Sequence, residues 1–203
     1  MAVTHPSGKP AGTPTGTSTD VETPDQYRIA ADRWHGIDRR AGAADRADDT
    51  PFERRRLLFV SSAGGHLAQL LQLKPWWMHH DRRWVSFDLP DARSKLEGEE
   101  LIFAHHPTTR NVVNLARNTP LARRVLKDFQ PHAVISTGAG VALPFFAVAR
   151  TMGIPSVYLE VYDRIDSRTL TGRLCRPLTS LFCVQWPEQQ SLYGGGELTG
   201  PVY

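Results

Sequence analysis

The sequence predicts a doubly wound α/β domain with a mostly parallel sheet, preceded by a disordered tail. Two observations carry this. From Arg54 onward, short apolar runs of strand length alternate with helical patterns, the signature of βαβ units whose sheet is buried on both faces. Residues 1–53, by contrast, are rich in Thr, Pro, Gly, Ala and Asp and nearly free of large apolar side chains after Val3, so they bury too little to offset the entropy of ordering. Within that tail Tyr27–Ile37 reads as a solvated linker, with a transient helix as the alternative.

In chain order, strands are expected at 56–62 (RLLFVSS), 83–88 (RWVSFD), 101–106 (LIFAHH), 133–138 (AVISTG), 156–161 (SVYLEV) and 181–186 (LFCVQW). Helices are expected at Leu67–Lys74, Ala92–Glu97, Val141–Met152, Leu170–Pro177 and Glu188–Tyr193. Across Val112–Phe129 the pattern predicts a pair of helices, because Pro120 lacks an amide donor and clashes with the preceding turn, breaking or kinking the segment at Asn118–Pro120. Residues 54–203 then form one Rossmann-like domain, with ligands at the C-terminal ends of its strands.

Composition narrows the function. The 203-residue chain has a formal charge of +3, and the surplus is uneven: residues 1–50 carry six Lys/Arg against eight Asp/Glu, and the remainder 18 against 13. Such a modest excess suits a small anionic ligand or an anionic membrane surface better than a nucleic-acid track. Cys175 and Cys183 have no metal-ligand or CxxC spacing, so they read as reduced thiols of a cytoplasmic protein. No charged start leads into an apolar core, and no apolar stretch approaches the roughly 20 residues of a membrane span. Neither a signal peptide nor a span is therefore expected.

Three βα loops hold the candidate chemistry. In SSAGGH, Ser62 offers a hydroxyl, Gly64 and Gly65 can take positive φ, and the amides opening the next helix favour an anion such as a phosphate or diphosphate. His66 is either a helix cap or a neutral imidazole able to act as general base. In STGAG, Thr137, Gly138 and Gly140 form a second Gly-containing turn, and two such turns on one sheet edge suggest a polar crevice. In YLEVYDRIDSRTLTGRL, Glu160 and Arg164 either converge on a site or belong to an ion-paired loop. PTTRN adds Thr108, Arg110 and Asn111. The fingerprints GxGxxG and GxxxxGK[ST] are both absent, although Asp88 lies roughly where a nicotinamide enzyme would hold a ribose.

The stretch LLQLKPWWMHHDRR sets Trp76 and Trp77 beside Arg82 and Arg83. Aromatic residues next to cations suit a membrane interface, and an apolar helix equally suits a core.

Taken in order, SSAGGHLAQLLQL, HPTTRN, VISTGAGVALPFF, VYLEVYDRIDSRTLTGRL, FCVQWPEQ and GPVY resemble the membrane-side subunit of split N-acetylglucosaminyltransferases, a family with a eukaryotic branch acting on dolichol-diphosphate-linked sugar and bacterial homologues in capsule and exopolysaccharide synthesis. The resemblance covers Arg56 to Tyr203. It implies the N-terminal, acceptor-side half of a GT-B glycosyltransferase, with a separate small protein binding the nucleotide sugar, expected to be a UDP-sugar, and completing the active site as a heterodimer. It further implies inverting transfer to a polyprenyl-diphosphate-linked glycan at the cytoplasmic membrane face, with no cofactor and no catalytic metal.

By the same resemblance Gly64, Gly65 and His66 face the acceptor diphosphate. Ser136 to Gly140 form the second loop, and Glu160 and Arg164 occupy an E-x-x-x-R stretch at the acceptor site or interface. The eukaryotic subunit begins with a membrane anchor where this chain has a polar tail, so attachment is expected to be peripheral, through Trp76, Trp77, Arg82 and Arg83 or through another protein. Two alternatives stay open: a subunit that only recruits its partner to the membrane, and a small nucleotide-dependent oxidoreductase using Gly64, Gly65 and Asp88.

Overall fold

A computed structural model describes residues 53–108 and 111–202; residues 1–52 of the predicted tail, with Tyr27–Ile37, and Arg110 lie outside them. The elements are β1 (Arg56–Val60), α1 (Gly65–Gln72), α2 (Lys74–Trp77), β2 (Asp81–Phe87), α3 (Pro90–Lys95), β3 (Leu101–Ala104), α4 (Val112–Phe129), β4 (Ala133–Ser136), α5 (Ala142–Thr151), β5 (Ser156–Leu159), α6 (Leu170–Cys175), β6 (Leu181–Val184), α7 (Pro187–Tyr193) and β7 (Glu197–Leu198). All strand pairs are parallel, in the order β3-β2-β1-β4-β5-β6-β7. The chain winds outward from β1 to β3, crosses back to β4, and winds outward again, so β1 and β4 flank the switch point where a crevice opens.

The continuous apolar runs of the strands resolve into two cores. Leu58 and Val60, Val134, Tyr158, Phe182 and Val184 face α4, α5 and α6. Leu57 and Phe59, Ile135, Val157 and Leu159, and Cys183 face α1 and α2. This alternation follows from the two-residue period of a strand, and burial on both sides removes the polar face that an antiparallel sheet would show.

The structure departs from expectation in several places, among them the extra helix α2 and the two-residue earlier start of α1 and α3. Five of the six predicted strands end two residues early and the sixth, β2, one residue early, with Ser62 and Val161 beyond β1 and β5 turning into the crevice lining; β2 also starts two residues sooner, at Asp81. The two-residue strand β7 was not anticipated. Val112–Phe129 is one helix of 18 residues with Pro120 inside it, not a broken pair. The buried Asn118 side chain accepts from the His105 amide and donates to the His105 carbonyl, both at 2.9 Å. That clamp to the end of β3 holds the turn in which proline removes one hydrogen bond.

The expected membrane face differs as well. Trp77 is buried, its indole Nε1 donates to the Leu70 carbonyl at 2.8 Å, and its ring meets Trp84 edge-on at 5.4 Å. Trp76 is half-buried against Phe59. Arg82 and Arg83 pair with Glu99 and Glu100, each at 2.6 Å, and lie at the start of β2, the sheet end opposite the crevice. These residues form a core with a charged border, so the apolar-helix alternative holds here.

Replacing Trp77 with alanine should therefore cost about 3–5 kcal/mol through the cavity it leaves, measured as a lower denaturant midpoint. Trp76→Ala should cost clearly less.

Candidate functional site

A cleft of about 460 Å³ opens at the C-terminal ends of β1, β4 and β5, within the size range of small-molecule sites. Ser62, Gly65, His66 and Gln69 line it from the β1–α1 connection, and Ala139 and Gly140 from the β4–α5 loop. Thr108 and Phe87 contribute from the β3 side, and Tyr158, Tyr162, Arg164 and Thr169 from β5 and its following loop.

The two glycine turns are locked to each other. His66 Nδ1 lies 2.9 Å from the Thr137 carbonyl oxygen, and Thr137 Oγ1 donates to the His66 carbonyl at 2.7 Å. A carbonyl only accepts, so Nδ1 carries the proton and the lone pair of the neutral ring sits on Nε2. Burial holds the His66 pKa below its ordinary 6.5, opposed by the Thr137 bond and by the charge of Asp163. The sequence alternative of a simple helix cap does not fit this geometry, since α1 opens at Gly64 without any side-chain cap.

Gly138 has to be glycine. Its φ is +112°, and a Cβ there would stand 2.6 Å from the Tyr158 hydroxyl and 3.3 Å from His66 Cε1. Ala139 next to it also has positive φ, +61°, a left-handed conformation that costs a non-glycine residue about 1 kcal/mol. The loop thus holds strain while it presents Gly140 to the cleft.

At the N-terminus of α1 the Gly64 amide donates to Asp91 Oδ2 at 2.8 Å. That amide is already matched to a carboxylate, which corrects the expectation that Gly64 itself faces a diphosphate. Gly65 and His66 remain in the first turn, where helix amides have no intrahelical acceptor. Asn111 caps α4 by accepting from the Asn114 amide at 2.9 Å and does not line the cleft. Asp88 is exposed and paired with Arg93 at 2.5 Å, also away from the lining.

Glu160 is fully buried and outside the lining, which corrects its candidacy for touching a substrate. Its carboxylate accepts from the Thr169 hydroxyl, the Val161 amide and the Tyr193 hydroxyl. Thr169 in turn caps α6 by accepting from the Gly172 amide at 2.9 Å. This knot pins both ends of the loop that carries Tyr162, Asp163 and Arg164. Buried Gln185 and Gln189 hold the same loop from outside: Gln185 Nε2 donates to the Glu160 carbonyl at 2.8 Å, and Gln189 Nε2 to the Val161 carbonyl at 2.7 Å. Gln185 Oε1 also accepts from the Val202 amide at 2.7 Å.

The structure brings the sequence candidates Ser62, Gly65, His66, Thr108, Gly140 and Arg164 to one cleft, with Thr137 and Gly138 directly behind them, and adds Gln69, Tyr158, Tyr162 and Thr169 to the lining. Gln69 was detectable: it follows His66 by three residues, on the same helix face, and interrupts an otherwise apolar pattern. Tyr158, Tyr162 and Thr169 lie within the candidate stretch YLEVYDRIDSRTLTGRL, but only the placing of β5 beside β4 shows which of its side chains line the cleft.

An exposed apolar rim borders the same end of the sheet. Val112 and Val113 open α4, Ile165 lies in the β5–α6 loop, and Leu170 and Leu174 are on α6; Val112 is 76% and Leu170 69% exposed. Arg164, Arg168 and Arg173 stand among them, also exposed. No helix of the described residues is long and apolar enough to cross a membrane.

No family model matches the chain. In sequence it is similar to the mouse protein named UDP-N-acetylglucosamine transferase subunit ALG14, 26% identical over 176 residues that cover 71% of this chain and 81% of that protein. It is also similar to the UDP-N-acetylglucosamine--N-acetylmuramyl-(pentapeptide) pyrophosphoryl-undecaprenol N-acetylglucosamine transferase of a Synechococcus strain, 31% identical over 147 residues, 65% of this chain and 39% of that protein. Among solved structures, Acinetobacter baumannii MurG matches with a TM-score of 0.54 at 18% identity over 65% of this chain. The matched region spans 42% of the MurG chain. This structural likeness shows the fold, the Rossmann-like half of a GT-B architecture.

Burial raises the Glu160 pKa above its ordinary 4.5, against the lowering by its hydroxyl and amide donors. A raised folded-state value contributes stability that is complete below pH 4.5 and is lost as pH rises through the folded-state value. Melting temperatures of wild type and Glu160→Gln, followed from pH 4 upward, should show a declining wild-type advantage that levels off once the carboxyl has ionised.

Proposed function

We propose that this chain is the acceptor-binding half of a two-chain glycosyltransferase that moves a sugar from a UDP donor to a polyprenyl-diphosphate-linked acceptor. The observation that carries it is the switch-point cleft, where a neutral His66 with its Nε2 lone pair available stands at the mouth of the helix-α1 amides. The names of the sequence relatives, one a transferase subunit and the other a transferase acting on a pyrophosphoryl-undecaprenol, supply the substrate class.

In the proposed step the acceptor hydroxyl gives its proton to His66 Nε2 while its oxygen attacks the anomeric carbon. The bond from that carbon to the UDP oxygen breaks, UDP leaves with the electron pair, and the configuration inverts. The first-turn amides and Arg164 offset the charge of the acceptor diphosphate. A partner protein binds the donor from the opposite side of the cleft, and no metal or cofactor enters the step. A capsule, exopolysaccharide or lipid-linked oligosaccharide precursor fits as the product.

The membrane face is the rim of Val112, Val113, Ile165, Leu170 and Leu174 with its arginines, since these share the cleft's end of the sheet and a lipid-linked acceptor must enter there. Apolar side chains among basic ones suit the headgroup region of an anionic bilayer. Attachment is peripheral, at the cytoplasmic face.

Assayed with its donor-binding partner, His66→Ala should lose about a hundredfold to ten-thousandfold in kcat. The acid limb of wild-type kcat/KM should fall below pH 6.5, since the base is lost only when the depressed imidazole is protonated. Turnover near wild type removes His66 as the base and favours a subunit that only recruits its partner. In a second measurement, Val113→Asp with Leu170→Asp should release the protein from anionic vesicles in a sedimentation assay, while Trp76→Asp should not.

A further inference from the structure

Gln69 sits on the cleft wall one helical turn beyond His66, and it is only 3% exposed. Its Oε1 is buried with no hydrogen-bond partner in the protein. A buried amide oxygen left unmatched is unfavourable, and native structures keep few of them. The surrounding layer is polar as well: Ser61 and Ser86 follow Phe59 and Trp84 by two residues, so they face the same α1 side of the sheet, and both hydroxyls are likewise buried without partners. A helix packed on β1 and β2 for stability alone would put apolar groups there.

The chemistry of the unmatched atom selects among ligands. An amide oxygen needs a donor, and an ionised diphosphate offers acceptors only. A sugar offers hydroxyl and acylamino donors, often on adjacent carbons, which a carboxamide can engage with its oxygen and its NH2 together. Rotation about the last side-chain bond exchanges the positions of the oxygen and the NH2 while the aliphatic stem stays in place.

We infer that Gln69 hydrogen-bonds the acceptor's sugar and makes the cleft prefer a sugar-bearing lipid diphosphate over the bare one. The inference rests on the function proposed above and names the residue that reads the acceptor.

The test is calorimetric titration of the full chain in detergent with two probes, a short-chain polyprenyl diphosphate and the same lipid carrying N-acetylglucosamine on its diphosphate. Wild type should favour the sugar-bearing probe by about tenfold, the worth of one good hydrogen bond to a matched group. Gln69→Met, nearly equal in volume and apolar, should bind both probes alike. Gln69→Glu keeps an acceptor oxygen and should keep the preference, while binding both probes more weakly through charge repulsion. A preference that survives in Gln69→Met overturns the inference, as does its loss in Gln69→Glu should the methionine variant not fold. Wild type binding the bare lipid without preference overturns the role of Gln69 and leaves the diphosphate site standing. Binding of neither probe overturns the proposed acceptor function, and the inference with it.

Discussion

The reciprocal bonds between His66 and Thr137 are the constraint around which the cleft is arranged. They join the first turn of α1 to the loop after β4, across the sheet's switch point. One of them also fixes the imidazole tautomer, so the contact that closes the crevice floor sets which ring nitrogen carries the lone pair. Geometry and proton inventory are therefore properties of a single contact. The glycine at 138 follows from it, because the space a side chain would need there is filled by His66 and Tyr158.

Around that floor the polar groups divide into those that face the cleft and those that hold its walls. His66, Arg164 and Gln69 belong to the first kind. Glu160, Tyr193, Gln185 and Gln189 belong to the second, Thr169 does both, and most of their hydrogen bonds end on backbone or on one another. A buried carboxylate surrounded by hydroxyl and amide donors is well suited to fastening a loop and poorly suited to exchanging a proton with a ligand it does not reach.

Much of this was written in the sequence, and the exceptions have physical causes. The apolar runs announced a sheet buried on both faces, and the paired glycine turns announced a crevice, because both depend on local pattern. Pro120 misled because its effect on the helix is decided by Asn118, whose partner at His105 lies 13 residues away in sequence. Trp77 and Arg82 misled because aromatic and basic neighbours look alike in a core border and in a membrane interface; burial and the partner Glu99 decide between them. The exposed rim at Val112 and Leu170 was invisible for the same reason: its members belong to separate elements brought to one edge only by the winding of the sheet.

The glutamines behind the cleft have a mechanical consequence. The carboxamide of Gln185 accepts from the Val202 amide with its oxygen and donates to the Glu160 carbonyl with its nitrogen, so one planar group couples the last strand's exit to the loop bearing Arg164. Displacing the segment at Val202 would therefore disturb the cleft wall through a single amide group. A fusion joined just beyond Val202 through a short, stiff linker would load that wall directly, whereas a long flexible linker would leave it at rest.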